Sequence, residues 1–243
     1  MQIELDLHTH TLASGHAYGT ILEMAKGAAE RGLKLLGITE HAQGIPGTCC
    51  DLYFKNLGVV PRGQAGVHLL LGAEINILDY RGTLSMSDDL IRTLDLRIAG
   101  IHAECYTHGT KAQNTDAVIA AISHPMIDII SHPIDGNCPL DYEAVTRAAL
   151  EHHVLLEVNN HALRGPRLKE PAACCRELLL WCKKRELPVI MSSDAHHMCD
   201  IGNFDHAIPM LEEAGYPEEL VLNRSAEDLL AWLAENRRRE QAV

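Results

Sequence analysis

Seven short apolar runs recur along the 243-residue chain, each followed by a stretch long enough to carry the backbone back to the start of the next. They fall at residues 3–8, 35–39, 68–75, 97–101, 127–131, 154–158 and 189–192. Apolar runs of this length suit strands covered on both faces, which need no polar alternation. Between them, Ile21, Leu22, Ala25, Ala28 and Ala29 repeat at helical spacing, behind Thr20 as a cap and ahead of Gly32 as a stop. Residues 142–153 and 171–185 carry the same pattern, the second with Pro171 in its first turn. Ser225 opens a last helix through Leu229, Leu230, Trp232 and Leu233. Strands alternating with helices predict a parallel α/β architecture, and either a doubly wound sheet or a barrel satisfies it. No linker-like composition divides the chain, so one domain over residues 1–243 is expected. Residues 42–66, rich in glycine and proline, lack any period and read as a surface excursion or a functional loop.

The ends of the runs are more informative than the runs. His8 and His10 end the first, with His16 close behind; Glu40 and His41 follow the second. Glu74 lies near the end of the third, His102 follows the fourth and His132 the fifth. The sixth leads to Asn159, Asn160 and His161, and the seventh to Asp194 and His196. In parallel α/β folds the C-terminal strand ends share one face, where active sites collect. Residues distant in sequence should therefore converge. His8 and His10 alternate by two and so point to one side of an extended segment, as do Asp194 and His196. Nine side chains of metal-binding type result: His8, His10, His16, His41, Glu74, His102, His132, Asp194 and His196. Zinc takes about four ligands, so nine suit two or three ions, with a carboxylate able to bridge. Imidazole mixed with carboxylate favours zinc, iron or manganese over calcium or magnesium. His68 and His124 lie at the wrong end of their runs, and His152 and His153 close a helix. His108, His161, His197 and His206 are read as polar neighbours of the site, not ligands.

Composition removes several function classes. The formal charge of −12 opposes non-specific binding to nucleic acid. No apolar run approaches the roughly 20 residues that span a bilayer, and the N-terminus does not read as a signal peptide, so a cytoplasmic location without membrane contact is expected. The eight cysteines include two adjacent pairs and no CxxC, and read as free thiols.

The segments DLHTHT, ITEH, GAEIN, AGIH, ISHP, EVNN and SSDAH together resemble the successive motifs of the PHP (polymerase and histidinol phosphatase) superfamily, from Leu5 to about Ser225. The length and the LNRSAEDLL ending are most similar to its YcdX-like, stand-alone phosphatase branch. The resemblance implies a distorted (β/α)7 barrel of TIM-barrel-like kind with a trinuclear centre of three divalent transition-metal ions, zinc first, iron or manganese as alternatives. One ion would be held by His8, His10, Glu74 and Asp194, a second by Glu74, His102 and His132, and a third by His16, His41 and His196. No ligand of the implied set is missing.

The chemistry then expected is hydrolysis of small phosphomonoesters by a metal-activated water, without a serine or cysteine nucleophile. Three divalent ions against Glu74 and Asp194 leave roughly four positive charges, so an acidic protein can still present a cationic pocket to a small phosphorylated substrate. Arg164, in the NNHALRG segment, is the candidate for gripping the phosphate bidentately, with Arg167 as its competitor. The alternatives are a histidinol-phosphate phosphatase, a nucleotide phosphoesterase or exonuclease, and a metal-binding regulatory protein with a vestigial site. An aromatic content of 4% speaks against the stacking platforms of an exonuclease.

Overall fold

The computed structural model describes residues 1–165 and 168–241. The strands are β1 (Leu5–Asp6), β2 (Leu35–His41), β3 (Gly63–Gln64), β4 (Val67–Asn76), β5 (Leu96–Gly100), β6 (Ile129–Ile130), β7 (Leu155–Asn159) and β8 (Val189–Ser192). Seven of them run parallel in the order β1-β2-β4-β5-β6-β7-β8, and β3 folds back antiparallel onto β4. The described helices are α1 (Ile21–Glu30), α2 (Asp51–Lys55), α3 (Asp88–Ile91), α4 (Lys111–Ile122), α5 (Tyr142–His152), α6 (Asn160–Arg164), α7 (Pro171–Lys184), α8 (Ala207–Glu213) and α9 (Ala226–Gln241).

The sheet rolls up until β1 approaches β8. The two strands do not pair along their length, and the seam is closed by other means. Thr9 bridges Ala195 in parallel, with the His10 N–H donating to the Ala195 carbonyl at 2.9 Å. The buried Asp6 carboxylate accepts the Ser193 N–H at 3.1 Å and the Gly202 N–H at 2.9 Å. Asn223 then acts as a one-residue strand. Its amide donates to the carbonyls of Leu5 and Met191 at 3.1 and 2.8 Å, and its Oδ1 accepts the Met191 N–H at 2.7 Å. The result is a distorted, nearly closed parallel barrel.

Alternation along each strand separates floor from chemistry. Leu35, Leu70, Leu96, Ile98, Ile129, Leu155 and Ile190 form one apolar cluster with Leu5 and Leu7, and Leu229 and Leu233 of α9 belong to the same cluster. The same faces of the strands, read two residues at a time towards their C-terminal ends, lead from Leu35 to His41, from Leu70 to Glu74, from Ile98 to His102, from Leu155 to Glu157 and from Ile190 to Asp194. One face thus carries an apolar layer below and ionisable groups above. The opposite faces, with Leu36, Ile38, Leu69, Leu71 and Ala99, pack into a second cluster with Met24, Val118, Val145 and Leu178 of the helices. Full burial of each such aliphatic side chain contributes about 1.5–3 kcal/mol, an upper figure because the unfolded chain is itself partly compact.

Every predicted apolar run becomes a parallel strand, though the first and fifth contribute only two residues each. Thr20 does cap α1, in a reciprocal arrangement with Glu23, and Gly32 at φ +74° follows the helix as its stop. The expectation for residues 42–66 needs correction. That segment contains α2, a 3-10 turn and the β3 hairpin, anchored where the Cys49 N–H donates to the Ala13 carbonyl at 2.8 Å. Its elements are too short to leave a periodic signal. Helix α4 also has little amphipathic pattern, because it buries Asn114 and Thr115 alongside Ala117, Val118, Ala121 and Ile122.

Candidate metal centre

All nine candidate ligands meet above the apolar floor, and Glu74 is the hub. Its carboxylate lies within 4 Å of five imidazole nitrogens: His41 at 2.9 Å, His132 at 2.8 Å, His8 and His102 at 3.2 Å, and His10 at 3.6 Å. Asp194 is a second carboxylate, 3.2 Å from His10, 3.6 Å from His196 and 3.7 Å from His8. His16 joins through His196, whose Nε2 stands 3.1 Å from its own Nε2. The room for this comes partly from Gly100, in the AGIH segment. A Cβ there would collide with the Ser131 hydroxyl and approach the Glu74 carboxylate.

The hydrogen bonds fix which nitrogen of each ring faces inward. Glu157 can only accept at 2.8 Å from His8 Nδ1, so that nitrogen carries the proton and Nε2 turns to the cluster. Ser14 gives its single hydroxyl proton to Glu40 at 2.6 Å, so His10 Nδ1 and the His41 N–H must both donate to the Ser14 oxygen, each at 3.0 Å. The Asn76 amide donates to the Ala42 and Gln43 carbonyls, which leaves its Oδ1 to accept from His102 Nδ1 at 2.7 Å. Within the cluster, four buried atoms make no hydrogen bond: Nε2 of His8 and of His10, Nδ1 of His41 and Oε2 of Glu74. Buried polar atoms left in this way cost about 1–3 kcal/mol each. Lone pairs converging on a carboxylate fit a bound cation, and the residues present therefore suit the metals that the fold implies. Three groupings have ligand atoms within 4.8 Å of one another: His10, His41 and His196; His8, His10 and Asp194; and His41, Glu74 and His102.

Charge agrees with that arrangement. Burial works against ionising Glu74, yet His8, His102 and His41 hold its carboxyl well below the usual range. Asp194 is likewise depressed against its burial, by His8 and by the hydrogen bond from His10. Burial opposes a proton on His8, but Glu74, Glu157 and Asp194 raise its pKa well above the usual value. His132 is also raised, against its burial, through its hydrogen bond to Glu74. His10 and His102 are pushed down, chiefly by burial. Backbone strain collects here too. His132 and Asp194 adopt positive φ, +30° and +55°, which costs on the order of 1–3 kcal/mol each and places both side chains in the cluster.

A cavity of about 700 Å³ opens over the cluster. His16, His41, His102, His132, Asp194 and His196 line it, together with apolar and polar residues of the strand ends and following loops. Among the described lining residues none is lysine or arginine. Arg164 is not one of them: its guanidinium is held bidentately by Asp200, at 2.6 and 2.9 Å, with Asp205 at 3.8 Å. Its competitor Arg167 lies outside the described residues. His108 and His161, read as polar neighbours, both line the cavity. His197 and His206 instead begin a 3-10 turn and α8. Sequence reasoning named Glu40 and Asn159 at strand ends without giving them a role, and missed the supporting residues Ser14, Asn76, Ser131 and Glu157. Their only sequence signal was a polar residue in or beside a motif whose neighbours were already candidates.

Comparison with known proteins agrees with this geometry. A probable phosphatase of Clostridium novyi is 41% identical over 233 residues, covering 96% of this chain and 95% of that protein. One from Acetivibrio thermocellus is 40% identical over 227 residues, covering 93% of each. Among solved structures, histidinol phosphate phosphatase from Lactococcus lactis, complexed with zinc, L-histidinol and phosphate, superposes with a TM-score of 0.62. That match covers 89% of this chain and 95% of the other at 14% identity, a likeness of fold. The PHP domain profile matches residues 6–236. The imidazoles and carboxylates gathered above the barrel floor are thus carried on a chain that belongs to the PHP domain family.

Proposed function

We propose that the chain is a metal-dependent phosphatase that hydrolyses small phosphomonoesters at a centre of three divalent ions, zinc first among the candidates. The observation that carries this reading is the convergence of buried His8, His10 and His41 nitrogens that make no hydrogen bond on the Glu74 carboxylate, beside a cavity of about 700 Å³ that His41 lines. The names of the relatives agree with it. His8, His10, Glu74 and Asp194, then Glu74, His102 and His132, then His16, His41 and His196, are the proposed ligand sets. Bound divalent ions would supply Lewis acidity towards the phosphoryl oxygens and a water acidified enough to attack near neutral pH.

The chain's own residues do the rest. Glu157, Ser14 and Asn76 hold the imidazoles of His8, His10 and His102 in the tautomer that presents Nε2. Outer partners of this kind typically account for about 10–100-fold in metal affinity or activity. The buried floor excludes water from beneath the cluster, and the cavity leaves one open side for the ester. The test is hydrolysis of p-nitrophenyl phosphate by protein of known metal content. Activity should disappear on chelation and return with zinc, iron or manganese, and no phosphorylated side chain should be trapped. Metal-loaded protein that is inert towards a broad panel of phosphomonoesters would refute the reading.

A further inference from the structure

The same two strands that deliver His102 and His132 each carry a carboxylate a little farther out. Glu104 follows His102 by two residues on the loop after β5, and Asp135 follows His132 by three on the loop after β6. Both line the cavity. Asp135 is fixed there, because its Oδ1 accepts the N–H groups of Asn137 and Lys169 at 2.8 and 3.1 Å. The lining also includes the apolar side chains of Ile77, Ile101, Leu140 and Leu168. The cavity therefore combines the cluster imidazoles and Asp194 with an apolar wall and two further carboxylates.

Resting on the phosphatase reading, we infer that the preferred substrates are phosphomonoesters of apolar, ring-sized alcohols or phenols that carry no second anionic group. With the phosphoryl group at the cluster, the organic part lies against the apolar wall. Removing that surface from water favours binding in proportion to the apolar area covered. A second phosphate or a carboxylate on the substrate would meet the exposed Glu104 and the half-buried Asp135. Like charges brought close there repel, with solvent screening the repulsion more at Glu104 than at Asp135. Bisphosphates and phosphorylated carboxylic acids are selected against on that ground. Glu104 and Asp135 are specificity residues in this scheme, and neither takes part in bond breaking.

The experiment compares kcat/KM for phenyl phosphate, methyl phosphate and 3-phosphoglycerate in metal-loaded parent, Glu104→Lys and Leu168→Ser proteins. Binding of phenylphosphonate and phosphonoacetate is measured alongside by calorimetry. The parent should prefer phenyl phosphate to 3-phosphoglycerate severalfold, and Glu104→Lys should narrow that ratio by about two- to fivefold. Leu168→Ser should lower kcat/KM for phenyl phosphate several-fold relative to methyl phosphate. The phosphonates should show the same order of preference in binding. An active parent whose ratio is unchanged in Glu104→Lys, or which prefers 3-phosphoglycerate, overturns the inference and leaves the phosphatase reading standing. Metal-loaded parent inert towards all three esters overturns both.

Discussion

Replacing Glu157 with glutamine removes one charge and one acceptor at a point where three donors converge. Oε1 accepts His8 Nδ1–H at 2.8 Å, and Oε2 accepts the His132 N–H at 2.6 Å and the Asn159 amide at 3.0 Å. The side chain is fully buried, so no water can stand in. A glutamine has one oxygen for two sides. If that oxygen faces His132 and Asn159, the amide N–H faces His8, whose ring must accept at Nδ1 and carry its proton on Nε2. That proton then points at Glu74, where a metal should be. If the oxygen faces His8 instead, two buried donors lose their acceptor, at about 1–3 kcal/mol each. Either way metal binding should weaken by about 10–100-fold, the range typical of a lost partner to a ligating histidine. The assay is competition for zinc against a chromophoric chelator, read beside thermal melting with and without metal. Glu157→Gln should melt below the parent when metal-free, because His8 loses a buried anionic partner, and should also gain less on adding zinc. A variant that takes up the parent's equivalents of zinc with the parent's affinity would refute the assignment of the His8 tautomer.

Glu74→Gln should be the most damaging single ligand change, lowering bound metal by more than one equivalent in elemental analysis, because five imidazoles surround that carboxylate. Protonated His8 stabilises the metal-free fold, since its folded pKa is raised; that contribution is complete below the unfolded value near 6.5 and disappears as pH rises through the folded one. Metal must displace this proton, so calorimetry in buffers of different ionisation enthalpy should find protons released on loading at pH 7 and fewer as pH rises. Asn223→Ala strands the Met191 N–H and two carbonyls at the seam and should cost about 2–5 kcal/mol in chemical denaturation. A loss under 1 kcal/mol would mean that the seam is sealed elsewhere. With its guanidinium on Asp200, Arg164→Ala should leave KM for phosphomonoesters within about twofold, whereas a ten- to hundredfold rise would give the phosphate back to that arginine.

The strands and the nine clustered side chains were legible because both are local facts repeated. An apolar run followed by an imidazole or carboxylate needs no knowledge of what lies across the barrel. Glu157 and Asn76 were not legible for the opposite reason. A buried carboxylate two residues before Asn159 reads as one more polar strand residue until His8, 149 positions earlier, is placed against it. Ser14 is ordinary in sequence and becomes decisive only because its single proton is committed to Glu40. Arg164 shows the same limit of local reading. Its position after the sixth strand was read correctly, but Asp200 was not visible as its partner. Short elements escaped as well: α2 and β3 are held by contacts with other segments and not by any period of their own.

The seam also sets an order of events during synthesis. β1 is made first, yet its free edge waits for Ala195 and Asn223, which close the seam. Until then β1 has β2 as its only neighbour, and the growing sheet ends in an open edge. Contacts so distant along the chain form slowly. A ribosome working at about 5–20 residues per second therefore needs about 10–40 seconds after making β1 before the ring can shut. Asp194 and His196 arrive in the same late stretch as Ala195, so the nascent chain completes its candidate metal ligands only as it becomes able to close the wall behind them.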